Sequence, residues 1–336
     1  MNFTNENHST ITILTEADLR ACVSMDLDAL QAVEEGFVRL ARGQATVPPA
    51  MGIDVPEHNG EIHVKSAYVN GFDSFAVKIA SGFYGNPEKG LPTGSGMMVL
   101  LNATTGFPQA LLLDNGFLTE LRTGLAGAIA AKYLARDKLD TVGVVGAGMQ
   151  GRYQVQALRL VRDFEQLMVF DTHPGSVKGY IADMSTELGK DVTAANDVAE
   201  LVSAADLVVT ATPSRTPYLS AEWLHPGLHV TAMGSDGPDK RELHPEVMAR
   251  ADKVICDRKS QCALLGELHH ALEAGFISED AAFDLGEIAA GAAPGRTEKN
   301  EITVCDLTGV GVQDTAIALL AYERAVEKGL GTKIEA

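Results

Sequence analysis

A chain of 336 residues is long enough for two domains with sizeable cores, and 46% hydrophobic residues with 33 glycines suit a globular α/β protein. A formal charge of -18 disfavours nucleic acid and anionic membrane as partners, so a local cluster of cations would stand out. Cys22, Cys256, Cys262 and Cys305 show neither CxxC spacing nor a matching histidine pattern, and no metal site or disulfide framework is expected. With no signal-like start and no apolar run near the roughly 18 residues of a membrane span, the expected location is the cytoplasm.

The polar opening, Met1 to Thr10, has no apolar period and is expected to be unstructured. Residues 13–42 read as helical, with Thr15 and Ser24 as caps, until Pro48 and Pro49 begin an extended region. Two strands follow, 61–69 and 75–83, joined through Asn70 and Gly71. Alternation places His63 and Lys65 on one face of the first, while Lys78 stands in an apolar run of the second, awkward for a charge unless an anion meets it. Any one of these three reads most simply as part of a solvated sheet face, but together on adjacent strands they point to an anion site.

A Gly- and Pro-rich loop, Gly85 to Gly96, leads into a hairpin over 97–114 and could close over a ligand. The next helix is expected to be capped by Thr119, with Arg122 and Thr123 in its first turn. An arginine there gains nothing from the helix dipole, which suggests anion binding.

The most informative stretch is Thr141 to Asp171. Val142, Val144 and Val145 make a buried-strand run, and Gly146-Ala147-Gly148-Met149-Gln150-Gly151 follows at once. Gly146 permits the tight turn, Gly148 the approach of a pyrophosphate, and Gly151 close helix packing, with the helix N-terminus facing the phosphates. A second strand over 167–170 ends at Asp171, about twenty residues after Gly151, where a ribose 2′-hydroxyl is read; this favours NAD over NADP. Strands at 205–212, 227–234 and 253–257 extend a parallel sheet, placing Thr212, Pro213, Gly234, Ser235 and Asp236 at the cofactor edge. Thr172 belongs beside Asp171. The segment Gln261 to Ala274 reads as one packing helix; its His269 and His270 lack metal spacing. The chain closes with a strand, a glycine turn and a long helix.

Lys78 with Asn86 and the Gly90-Leu91-Pro92 loop, LTELRTGLAGAIAAKYLA at 118–135 ahead of GAGMQG, and GSDGPDKREL at 234–243 together resemble the ornithine cyclodeaminase/mu-crystallin family. The resemblance runs from about Thr15 to Ala325. It implies a Rossmann-type doubly wound NAD domain over 119–305 and a discontinuous α+β substrate and dimerisation domain from 1–118 and 306–336, in a homodimer. It also implies that Lys78 and Arg122 grip a substrate α-carboxylate, that Asp236 faces the amino or imino nitrogen, and that Thr123 helps hold the cofactor phosphates. His63, Lys65, Ser95 and Gly309 are further candidates on the substrate side.

Two departures bear on the substrate. No arginine stands near Pro49-Ala50-Met51-Gly52, where family members acting on ornithine or simple imino acids usually carry one. His63 and Lys65 also replace the acid or neutral residue and the methionine common there. Residues 64–83 and 305–318 look most like the subgroup containing iminosuccinate reductase and ectoine-utilisation proteins. The expected activity is NADH-dependent reduction of a small anionic imino acid, with iminosuccinate going to L-aspartate as the leading case. Another ketimine reductase or alanine dehydrogenase-like enzyme, a cyclodeaminase and a non-enzymatic mu-crystallin-like binding protein are the alternatives.

Overall fold

The computed structural model describes residues 10–335, so the polar opening lies outside the described residues except for Thr10. The chain begins with β1 (Thr10–Thr15), α1 (Glu16–Cys22), α2 (Leu27–Ala41), β2 (Ala45–Thr46), β3 (Met51–Val55), β4 (Gly60–Val69), β5 (Ser74–Phe83), β6 (Gly94–Asn102) and β7 (Pro108–Leu113). Then come α3 (Phe117–Leu134), β8 (Leu139–Val145), α4 (Met149–Leu158), β9 (Phe164–Phe170), α5 (Pro174–Leu188), β10 (Val192–Ala194), α6 (Val198–Ala204), β11 (Leu207–Thr210) and β12 (His229–Ala232). The remainder is α7 (Glu246–Arg250), β13 (Lys253–Cys256), α8 (Lys259–Leu265), α9 (Glu267–Glu273), β14 (Ala282–Asp284), α10 (Leu285–Ala289), β15 (Thr303–Asp306), α11 (Gly311–Glu327) and β16 (Thr332–Glu335). Residues up to Arg122 and from Val310 onward form one compact unit, and Thr123–Gly309 form the other.

The first unit is a mixed sheet in the order β16-β1-β7-β6-β5-β4-β2, with β3 also on β4. Side chains alternate across it, so Leu14, Ala67, Ala76, Leu100 and Leu112 are buried beneath the helices. On the opposite face Val64 pairs with Ile79 and Ile79 with Met97, while Val77 pairs with Val99 and Val99 with Leu111. These apolar side chains are only partly covered. No charged residue falls on that face along β4 to β7.

Three local expectations are corrected in this unit. Residues 10–15 are a strand, because Thr12 and Leu14 point inward while Ile11 and Ile13 point out, a period of two too short to read beside the helices that follow. Thr15 does cap α1, in a capping box with Asp18, but Asp26 rather than Ser24 caps α2, and the Ser24 hydroxyl donates to Asp26 Oδ2. Helix α3 starts at Phe117, with Asp114 Oδ2 accepting the Leu118 N–H at 2.9 Å. A carboxylate accepts an orphan N–H better than a hydroxyl does, so Thr119 lies inside the first turn and Arg122 in the second.

The second unit is an all-parallel sheet ordered β10-β9-β8-β11-β12-β15-β13-β14. Its chain order reverses between β8 and β11, the switch point where doubly wound sheets bind nucleotides. Two apolar clusters cover the sheet, one built on Val142, Val144 and Tyr180, the other on Val208, Val230 and Leu268. The expected single helix over 261–274 is two short ones, broken at Gly266. There a Cβ would collide with the Asp306 carboxylate, whose Oδ2 accepts the Leu268 N–H at 2.9 Å.

Candidate active site

In the second unit, β8 ends in a turn that only glycine makes readily. Gly146 has φ +106, and a Cβ on it would lie 2.5 Å from Ala211 O. A Cβ on Gly151 would collide with Gly146 O, which lets α4 start hard against the strand. Above Gly148, the N-cap of α4, there is open space, and Met149 beside it is exposed. The turn therefore offers room at the N-terminus of α4, the point where a pyrophosphate would lie. Asp171 Oδ2 accepts the Ala147 N–H at 2.9 Å and its Oδ1 the His173 N–H at 2.8 Å, leaving lone pairs for a ribose diol. Thr172 follows, exposed. These residues fit a dinucleotide.

Neighbouring groups brace this cradle. Arg152 donates to Ala147 O and Gly148 O at 2.5 and 3.1 Å while its guanidinium stacks on Tyr180. Gln154 Nε2 donates to Thr123 O at 2.9 Å and to Gln150 Oε1 at 3.3 Å, joining two expected cofactor residues. Buried Glu242 accepts from the Thr210 hydroxyl, from the Thr212 N–H and hydroxyl, from Tyr218 Oη and from the Gly234 N–H. It thus pins the loops after β11 and β12 that carry Thr212, Pro213, Gly234 and Ser235. Arg152 and Glu242 were not singled out in the sequence, although Glu242 lies inside the 234–243 motif.

Asp236 also lies in this unit. Its Oδ1 accepts from Lys240 Nζ at 2.8 Å. Gly309 donates its N–H to Asp257 Oδ2 at 2.6 Å, and its carbonyl accepts from Gln261 Nε2 at 3.0 Å. Nearby, the side-chain ligand atoms of Cys256, Cys262 and Asp306 converge, all buried; burial pushes the Cys262 thiol well up and the Asp306 carboxyl up to about 7.

The first unit holds the cations. Register sets Lys65 opposite Lys78, so both point to the buried face. Lys78 Nζ donates to Asp314 Oδ1 at 3.0 Å, and Arg122 Nε donates to the same oxygen at 2.9 Å. Arg122 Nη1 also reaches Gln313 Oε1 at 3.4 Å. Lys78 is 2% exposed, Arg122 5% and Asp314 0%. Burial, then the charge of Arg122, push the Lys78 ammonium down to about 7; Lys65 adds to the fall and Asp314 opposes it. Burial tends to raise the Asp314 carboxyl, but Lys78 and Arg122 outweigh it and hold Asp314 below the usual range.

The anion expected beside Lys78 is thus one of the chain's own, from the first turn of α11. Asp314 was missed, though an acid in an apolar helix is as conspicuous as Lys78 in its strand. His63 lies two residues from Lys65 on β4, with Glu61 Oε2 at 3.7 Å from its Nε2. Ser95 is exposed on β6, paired with Ser81. Lys65, Lys78 and Arg122 thus come together around Asp314, whereas Asp236 and Gly309 belong to the other unit.

The profile of the ornithine cyclodeaminase/mu-crystallin family matches residues 10–329. A putative dehydrogenase of Rhizobium meliloti is 49% identical over 96% of this chain and 98% of its own. An alanine dehydrogenase of Archaeoglobus fulgidus is 38% identical over 96% and 98%, and an iminosuccinate reductase of Paracoccus denitrificans 35% identical over 91% and 94%. Among solved structures, the Thermococcus litoralis Delta(1)-pyrroline-2-carboxylate reductase in complex with NADH and L-proline superposes with a TM-score of 0.92 at 34% identity, covering 96% of this chain and all of that one. An archaeal alanine dehydrogenase dimer with bound NAD gives 0.89 at 35% identity, covering 97% and 99%. The profile and these relatives each span nearly the whole chain, and the chain belongs to the ornithine cyclodeaminase/mu-crystallin family.

Proposed function

We propose that the protein is an NADH-dependent imino acid reductase whose substrate carries two carboxylates, as in iminosuccinate going to L-aspartate. The observation that carries this reading is the gathering of three cations, Lys65, Lys78 and Arg122, around the buried Asp314, with the buried Asp114 also in the field of Lys78. Cations gathered at one buried place can make the charge-assisted contacts that hold a carboxylate ligand. Lys78 and Arg122 suffice for an α-carboxylate; Lys65, with His63 beside it, adds capacity for a second. The names of the relatives, iminosuccinate reductase and alanine dehydrogenase, support an imino or amino acid as the reacting partner.

The Gly146–Gly151 turn and Asp171 would hold NADH, which would supply a hydride to the imine carbon as the C=N π electrons pass to nitrogen. Lys78 and Arg122 fix the carboxylate and so orient that carbon. Asp236, which also pairs with Lys240, would accept a hydrogen bond from a protonated imine nitrogen, which makes the carbon more electrophilic. A monocarboxylic substrate is the second reading. It is favoured by the pairing of Gly52 with His63, which sets the stretch lacking the family's arginine beside β4, where Lys65 could take over that grip.

The partly covered apolar face of the first sheet, uncharged along β4 to β7, is assigned to a second copy of the chain; the archaeal neighbour is described as a dimer. The function is tested by mixing oxaloacetate with ammonia and following NADH. Net NADH consumption with formation of L-aspartate is expected. A cyclodeaminase, which regenerates its cofactor in each turnover, would show no net consumption, and binding without turnover of any imine would leave a ligand-binding protein.

A further inference from the structure

The second unit has a cavity of about 580 Å³ at the edge opposite the glycine turn. β8 starts beside it at Leu139 and runs away from it to Gly146. Arg296, in its wall, donates to Leu228 O just before β12 and to the hydroxyl of Thr303, where β15 begins. Six cations line it: Lys132, Arg136, Lys138, Arg162, Arg296 and Lys299. Two exposed carboxylates, Asp137 and Glu298, share the lining, with Asp137 Oδ1 3.7 Å from Arg162 Nη2, while Asp206 pairs with Arg136 and Glu301 and Asp252 act on Arg296. Acids outnumber bases 45 to 27 in the chain as a whole, so this concentration runs against its overall balance.

Structural bracing explains part of it, since all three guanidinium nitrogens of both Arg162 and Arg296 donate within the chain. Arg162 Nη2 donates to Lys132 O at 2.7 Å, and Arg296 Nε to Leu134 O at 2.6 Å, satisfying the last carbonyls of α3 where the helix dipole is negative. The others are not used in this way. Arg136 is paired with Asp206 through one terminal nitrogen, while its Nε is buried without a hydrogen-bond partner among the described residues. Lys138 and Lys299 are exposed at the cavity. Lys132 Nζ lies 5.1 Å from the centre of the half-buried Tyr133 ring, which also lines the wall.

The volume is that of a small-molecule site. Arginine and lysine converging on a concave surface suit phosphate oxygens, and the aromatic wall offers a stacking platform. We propose that this cavity binds a small polyphosphorylated anion, separately from the cofactor and substrate sites. The shared chemistry is two or more linked phosphates, carried either by a free polyphosphate or by a nucleotide.

The test is titration calorimetry of tripolyphosphate into protein saturated with NADH, which fills the other phosphate-binding turn. Wild type is compared with Arg122→Ala, which disables the cation centre of the first unit, and with the double variant Lys138→Gln/Lys299→Gln. Binding is expected in wild type and Arg122→Ala alike, and about tenfold weaker in the double variant. Because both lysines are exposed, the melting temperature of that variant without ligand stays unchanged. ATP binding more tightly than tripolyphosphate assigns the nucleoside to Tyr133, whereas equal affinity assigns the ligand to its phosphates alone. No binding at NADH saturation, or equal affinity in the double variant, overturns the proposal.

Discussion

Asp314 is completely buried, yet only its Oδ1 carries hydrogen bonds, from Lys78 and Arg122; Oδ2 has no partner among the described residues. One oxygen therefore bonds two cations, and Lys78, its pKa pushed down to about 7 by burial, can change charge close to neutral pH. An anionic ligand needs the charged ammonium. Affinity for a non-titrating dicarboxylate such as succinate, measured with NADH bound, is thus expected to be flat below about pH 7 and to fall above it. Asp314→Asn removes the influence that opposes the fall in the Lys78 pKa, so this break moves to lower pH. Leaving two buried cations without their counter-charge is also expected to cost roughly 3–5 kcal/mol in urea unfolding. A destabilised variant with an unmoved break would reduce Asp314 to packing. Lys78 was legible as an anomaly in an apolar strand. Its pairing with Asp314 was not, because the two lie 236 residues apart in sequence and only the folded unit joins them.

At the scale of elements, the run from β8 through the glycine turn and α4 to Asp171 was readable because each signal is local and they occur in register. The two glycines differ in a way the motif does not reveal. Gly148→Ala is expected to leave the melting temperature unchanged, since nothing lies within 4 Å of the added Cβ, while weakening NADH. Gly151→Ala drives a Cβ into Gly146 O and is expected to destabilise the fold itself, by about 1–3 kcal/mol for an overpacked site. Thermal melting with and without NADH separates the cases, and equal losses in both would refute the distinction. Asp171→Ser keeps an oxygen for the Ala147 N–H but removes the charge that repels a 2′-phosphate. The ratio of NADH to NADPH rates should fall, and an unchanged ratio would remove Asp171 from cofactor choice. What escaped the sequence were elements decided by neighbours. β1 is too short to show its period, Asp114 outcompetes Thr119 as a cap, and Gly266 breaks a helical pattern because the Asp306 carboxylate occupies the space.

On the scale of the molecule, the first unit's own helices leave the apolar face formed by Val64, Ile79 and Met97 partly open. Covered by a second copy, it gives a particle of twice 35.6 kDa in light scattering. Val64→Lys with Ile79→Lys should return the monomer mass, and a wild-type monomer would remove the dimer assignment. Strand alternation made this face legible in principle, but which face the helices cover depends on α11, from the far end of the chain. The central claim, a buried cation centre that reads two carboxylates, is tested most directly by one comparison of kcat/KM. Oxaloacetate with ammonia, which forms iminosuccinate, is set beside pyruvate with ammonia, in wild type and in Lys65→Met. The account predicts that wild type prefers the dicarboxylic imine and that Lys65→Met loses it selectively, by about 2 kcal/mol in the barrier, the loss of a charge-assisted contact. Wild-type preference for the pyruvate-derived imine, or an equal loss on both substrates in the variant, would contradict it.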